Sequence, residues 1–122
     1  MKCFTIGRFV IGLWILSSCV NAQTKADNAR FKELIADSNA VILDVRTPEE
    51  FSEGYIEGKA PTKNVNYFSN EFLTDVEKVA KKNQLVLVYC AAGGRSASAC
   101  KDLIKAGYKK VYDLEGGYNS WE

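Results

Sequence analysis

Three aliphatic runs stand out against an otherwise mixed chain: residues 40–46 (AVILDVR), 85–89 (LVLVY) and 110–114 (KVYDL). The first two lack polar alternation, which is the pattern of strands buried on both faces of a parallel sheet. Between them, apolar residues recur at helical spacing. Phe31, Leu34 and Ile35 make one stripe over residues 27–37, with Asp27 as N-cap. Thr47-Pro48-Glu49-Glu50-Phe51 opens a helical turn with proline in its first position. Ser69 caps a helix that runs to Lys82, with Phe72, Leu73, Val76, Val79 and Ala80 inward. A further helix covers residues 96–106 and closes at Gly107. Residues 23–27 read as frayed, 59–64 as irregular, 65–67 as a short strand and 118–122 as the start of a last helix. Strands alternating with helices predict an α/β fold, a small and mainly parallel sheet flanked by helices on both faces.

The first 22 residues read differently. Lys2 and Arg8 give a positive start, residues 9–16 (FVIGLWIL) an apolar run, and Val20-Asn21-Ala22 a small-residue cleavage site. The run is well short of the ~20 apolar residues that span a bilayer. Residues 1–22 are therefore expected to be a signal peptide, and residues 27–122 the domain. Leu16-Ser17-Ser18-Cys19 also has the form of a lipobox, which would make residues 1–18 a lipoprotein signal and Cys19 a lipidated N-terminus. Both readings export the chain, to the periplasm or to the cell envelope as a lipoprotein. Membrane association is expected only if Cys19 is lipidated.

Without Lys2 and Arg8 the formal charge falls from +1 to −1, so no basic excess remains for a nucleic-acid footprint. The chain has no histidine. That excludes Ser-His-Asp and Cys-His catalysis and histidine metal ligands. Beyond the leader two cysteines remain, Cys90 and Cys100, too few for a structural zinc site. Neither a metal nor another cofactor is expected.

Cys90 stands at the carboxyl end of the run 85–89, where ligands of open α/β sheets bind. Ala91-Ala92-Gly93-Gly94 follow, then Arg95-Ser96 opening a helix. A free thiol ionises near pH ~8.5 and is only slightly thiolate at neutral pH. Three features here favour the anion: a small-residue loop able to form a nest of N–H groups, with Gly93 and Gly94 supplying positive φ, a helix N-terminus, and the charge of Arg95. Cys100 shares a helix face with Ala97, Leu103 and Ile104 and reads as a small core residue, not as a disulfide partner. The loop is not a Walker phosphate cradle, since no lysine follows Gly93-Gly94. Gly116-Gly117 reads as a plain turn.

Residues 27–122 resemble a single-domain rhodanese of the exported bacterial type. The resemblance is carried by Asp44-Val45-Arg46-Thr47-Pro48-Glu49-Glu50-Phe51, by Gly54-Tyr55-Ile56-Glu57-Gly58, by the loop Cys90 to Ser96, and by Leu114-Glu115-Gly116-Gly117 with Trp121. It implies a rhodanese-like fold and a sulfurtransferase. Cys90 would take sulfur from a donor such as thiosulfate, carry it as a persulfide and pass it to cyanide or a thiol. Arg95 would hold the loop and its charge. The N–H groups of Ala91, Ala92, Gly93, Gly94, Arg95 and Ser96 would cradle the anionic sulfur. Asp44 and Arg46 would support the site, as an ion pair and brace in the first instance and as a substrate contact in the alternative. Four residues separate Cys90 from Arg95, where the related dual-specificity phosphatases and arsenate reductases have five, so the cradle suits a sulfur atom better than a tetrahedral oxyanion. Tyr55 stands where the family usually has histidine, read as a packing change.

The partners implied are a small-molecule sulfur donor and a thiophilic acceptor, with a protein acceptor as a further option and the chain acting as a monomer. A second reading keeps the persulfide but makes the chain a carrier or docking module loaded by a partner protein.

Overall fold

A computed structural model describes residues 23–122; the leader and its Cys19 alternative lie outside them. The elements are β1 (Thr24–Ala26), α1 (Asn28–Leu34), β2 (Val41–Asp44), α2 (Pro48–Ser52), β3 (Thr62–Asn64), α3 (Phe72–Glu77), β4 (Leu85–Tyr89), α4 (Gly94–Lys105) and β5 (Lys110–Leu114), followed by a 3-10 turn at Tyr118–Ser120. The five strands form one sheet in the order β1-β5-β4-β2-β3. Every pairing is parallel.

β4 is the middle strand, and its side chains divide by alternation. Val86 and Val88 pack with Phe72, Val76, Ala99, Cys100 and Leu103 on the side of α3 and α4. Leu87 and Tyr89 pack with Phe31, Leu34 and Ile35 on the side of α1. Burial on both faces is why the run 85–89 carries no polar alternation. Each fully buried aliphatic side chain contributes about 1.5–3 kcal/mol. Asp27 accepts from the Arg30 N–H and caps α1 as expected. Thr47 and Glu50 form a reciprocal capping box on α2, with Pro48 at its start.

Several expectations are corrected. Residues 24–26 form a parallel edge strand on β5, with Ala26 buried, in place of a frayed start. The strand after the bend is Thr62–Asn64 and not 65–67. Pro61 directly precedes it, and an edge strand with proline at its start loses no ladder bond. α3 is shorter than the helix expected from Ser69 to Lys82. Ser69 Oγ accepts from the Glu71 N–H in a turn, the backbone tightens to i→i−3 bonds at Lys78 and Val79, and Leu73 is exposed. α4 begins at Gly94, two residues before the expected start, so its N-terminal turn includes the end of the cysteine loop. The C-terminal segment makes a single 3-10 turn, and Trp121 packs edge-on against Phe31 at 5.8 Å between ring centroids.

Candidate active site

Cys90 follows β4 directly and is 1% exposed. Its Sγ accepts from the Gly93 N–H at 3.1 Å and the Ser96 N–H at 3.3 Å. The thiol donates to Ser96 Oγ at 3.4 Å, and that hydroxyl donates to the Gly93 carbonyl at 3.2 Å. Gly93 is the N-cap residue of α4 with φ +117°, and no side chain caps the helix. The cysteine sulfur fills that role, taking the N–H of the third helical residue, where an N-cap oxygen ordinarily accepts. The macrodipole of a 12-residue helix then favours negative charge on the sulfur. Of the two loop glycines only Gly93 needs positive φ; Gly94 has ordinary helical φ. The N–H groups of Ala91, Ala92, Gly94 and Arg95 have no acceptor among the described residues. They remain available to an incoming anion.

Arg95 does not leave its charge to the sulfur alone. Its guanidinium makes a bidentate pair with Glu50 on α2, at 2.8 and 3.1 Å. The Arg95 hydrogen bonds, and next the Thr47 N–H, hold the Glu50 carboxyl down to about 2. Arg95 thus ties the first turn of α4 to the first turn of α2. Its guanidinium also lies 5.9 Å from the ring centroid of Phe68, which is 68% exposed.

Asp44 and Arg46 lie at and just beyond the end of β2, both buried. Arg46 donates from Nε and Nη2 to the Asp44 carboxylate, the shortest contact being 2.8 Å, and from Nη2 to the Gly54 carbonyl at 2.7 Å. Tyr89, from the neighbouring β4, donates its hydroxyl to Asp44 Oδ2 at 2.6 Å and accepts from the Ile56 N–H. Burial, and next the Asp44 hydrogen bond, push the Tyr89 phenol above its ordinary range, so it stays protonated. This network pins the Gly54–Ile56 bend to the sheet. Tyr55, outside it, stacks on Phe51 at 4.4 Å.

The sequence reading passed over two contributors. Along the chain Glu50 is legible only as part of the helical turn that Thr47-Pro48 opens; Thr47-x-x-Glu50 signals its capping box, but nothing local signals Arg95, 45 residues away. Gly116-Gly117, read as a plain turn, buttresses the cysteine loop. Tyr118 N–H donates to the Cys90 carbonyl at 2.8 Å and Asn119 N–H to the Ala91 carbonyl at 2.9 Å. Cys100 is fully buried and unbridged, and burial, with the nearby Asp113 charge, pushes its thiol up. Among the described residues no group of three potential ligands could hold a metal ion.

The rhodanese-like domain description matches residues 27–122. The chain belongs to the rhodanese-like family. Among relatives, thiosulfate sulfurtransferase 18 of Arabidopsis thaliana is 36% identical over 121 residues, covering 87% of this chain and 88% of that protein. Thiosulfate sulfurtransferase GlpE of Coxiella burnetii is 34% identical over 90 residues, covering 74% and 78%. Protein HIGH ARSENIC CONTENT 1 of Arabidopsis thaliana is 39% identical over 85 residues; the match takes in 65% of this chain and half of that longer protein. A rhodanese-related protein of Thermoplasma volcanium superposes with TM-score 0.65 at 33% identity, covering 80% of this chain and 89% of that one. The fold is rhodanese-like, and the family with its relatives supports sulfurtransferase activity in general, with a sulfur donor and a sulfur acceptor as substrates.

Proposed function

We propose that the protein moves a sulfane sulfur from a donor such as thiosulfate to a thiophilic acceptor, cyanide or a thiol, through a persulfide on Cys90. The observation that carries this reading is the sulfur of Cys90 held at 3.1 and 3.3 Å from two backbone N–H groups at the start of α4. Those donors stabilise a thiolate without any general base, which the histidine-free chain would otherwise need. The thiolate attacks the outer sulfur of thiosulfate; the new S–S bond forms as the old one breaks, and sulfite departs with the electron pair. The persulfide anion then sits among the unbonded N–H groups of Ala91, Ala92, Gly94 and Arg95. Cyanide or a thiolate takes its outer sulfur and restores the Cys90 thiolate. Ser96 can turn its hydroxyl from the Gly93 carbonyl to the sulfur once the thiol proton is gone.

The leader motif supports export, to the periplasm or as an envelope lipoprotein through Cys19. The carrier reading is favoured by one feature, the exposed Phe68 beside Arg95, an apolar rim on which a partner protein could dock. Thiosulfate-to-cyanide transfer by wild type, Cys90→Ser and Cys100→Ser tests the proposal. Turnover by wild type and Cys100→Ser, with one sulfur gained at Cys90 by intact mass, is the expected result. Stable loading with negligible turnover would favour the carrier, and absence of loading would overturn both readings.

A further inference from the structure

A cavity of about 310 Å³ opens beside the cysteine loop, lined by Arg46, Glu50, Glu53, Ala91, Tyr118 and Asn119. It meets the loop at Ala91, one residue beyond the nucleophile. The Arg46 side chain is only 5% exposed and three of its contacts to Asp44 use Nε and Nη2. The Gly54 carbonyl takes a further Nη2 bond. Among the described residues Nη1 has no partner, yet it is not a sealed, unsatisfied buried atom. The guanidinium lies 4.3 Å from the Tyr118 ring centroid, which fixes its position at the cavity wall.

The charges of this wall do not suit a dianion. Arg46 is neutralised by Asp44 and Arg95 by Glu50. Glu53, adjacent to the carbonyl that Arg46 grips, has no ionic partner among the described residues and adds a negative charge. What the cavity offers is one guanidinium N–H and one carboxylate without an ionic partner among the described residues, both lining the same space of about 310 Å³. That combination is complementary to a small ligand that carries both a carboxylate and an ammonium.

We propose that this cavity selects zwitterionic amino-acid persulfides, of which cysteine persulfide is the simplest, as sulfur donors: Arg46 Nη1 takes the α-carboxylate and Glu53 the α-ammonium. The proposal rests on the sulfurtransferase reading and names its substrate class. The Cys90 thiolate attacks the outer sulfur of R–S–SH. The Cys90–sulfur bond forms as the S–S bond of the donor breaks, the electron pair leaves on the amino-acid thiolate, and the proton stays with the transferred sulfur. No oxidant or reductant is consumed.

The test is the rate at which the full chain gains one sulfur at Cys90, by intact mass, from four donors: the persulfides of cysteine, of 3-mercaptopropionate (no ammonium) and of cysteamine (no carboxylate), and thiosulfate. Each rate is divided by that of the same donor with N-acetylcysteine, which removes intrinsic reactivity. Cysteine persulfide is expected to exceed each half-matched persulfide about fivefold, the worth of one partly screened ion pair. In Glu53→Gln its advantage over 3-mercaptopropionate persulfide disappears, while thiosulfate loading rises as the repelling charge is lost. Equal rates for cysteine and 3-mercaptopropionate persulfides, or a uniform loss in Glu53→Gln, would overturn the zwitterion site alone. Loading from none of the four would overturn the sulfurtransferase reading with it.

Discussion

Gly117 lies directly against Cys90: a Cβ at Gly117 would stand 2.6 Å from the Cys90 carbonyl oxygen and 2.5 Å from that of Ala91. Both are backbone atoms, so no side-chain rotation can relieve the contact. The turn after β5 and the loop after β4 are therefore one unit, stitched further by the Tyr118 and Asn119 N–H groups.

Gly117→Ala should consequently cost more than the backbone strain of its φ of +65° alone. We expect about 2–4 kcal/mol of lost stability, from strain together with overpacking. Gly107→Ala is the control: its φ is +106°, but the nearest atom to a new Cβ is 3.7 Å away on the flexible Lys82 side chain. Its cost should be about 1–2 kcal/mol. Urea midpoints of the two variants give the comparison, and equal costs would deny the close approach any energetic weight.

The Glu50–Arg95 pair gives stability a pH signature. Glu50 titrates at about 2 in the folded protein against an ordinary 4.5, so the folded state binds fewer protons. The contribution is complete above about 4.5 and fades as the pH falls through about 2. Because Glu50 remains 33% exposed in the pair, solvent screens it, and we expect about 1–2 kcal/mol rather than the full shift. Wild type should be the more stable of wild type and Glu50→Gln at pH 6, with the gap narrowing steadily between pH 4 and pH 2 in urea titrations. A gap that is flat with pH would show that the Glu50 charge is not its source and would overturn the ion-pair account, since glutamine retains the capping box.

Cys100 should stay unmodified in the folded protein. It is fully buried and its thiol is pushed up by burial, so a thiolate is not accessible. Iodoacetamide at pH 8 should label it only at the rate of unfolding, and in urea at once. Cys100→Ala should lower stability by about 1 kcal/mol through the small void left behind and leave sulfur loading intact. Labelling of Cys100 faster than unfolding, read by peptide mass mapping, would contradict its core position.

Lys25 ties β1 to the sheet through a charge. Its ammonium lies 3.0 Å from Oδ2 of the fully buried Asp113, whose Oδ1 has no partner among the described residues. Lys25→Met leaves that carboxylate unpaired, at a cost of about 3 kcal/mol. Asp113→Asn in the same background should recover part of it, since the uncompensated charge is gone. Thermal unfolding of the two variants measures this; no recovery would mean that the ion pair is not what holds Asp113.

Much of this architecture was legible along the chain. Two-sided burial of β2 and β4 shows as unbroken aliphatic runs, and the capping of α1 and α2 shows as Asp27 and Thr47-Pro48, because these are effects of residues on their near neighbours. So was the position of Cys90, since a thiol between a buried strand and a Gly-Gly helix start is a local arrangement. Tertiary structure decided the rest. β1 exists only because β5, 88 residues later, gives its polar residues a ladder and Lys25 a buried carboxylate. α3 ends early where the backbone tightens, which an apolar stripe continuing to Ala80 conceals. The partner of Arg95, the buttress behind Cys90, and the cavity that Arg46, Glu53 and Ala91 line together all arise across elements. Their energy comes from charge pairing and close approach in space, which spacing along the chain does not encode.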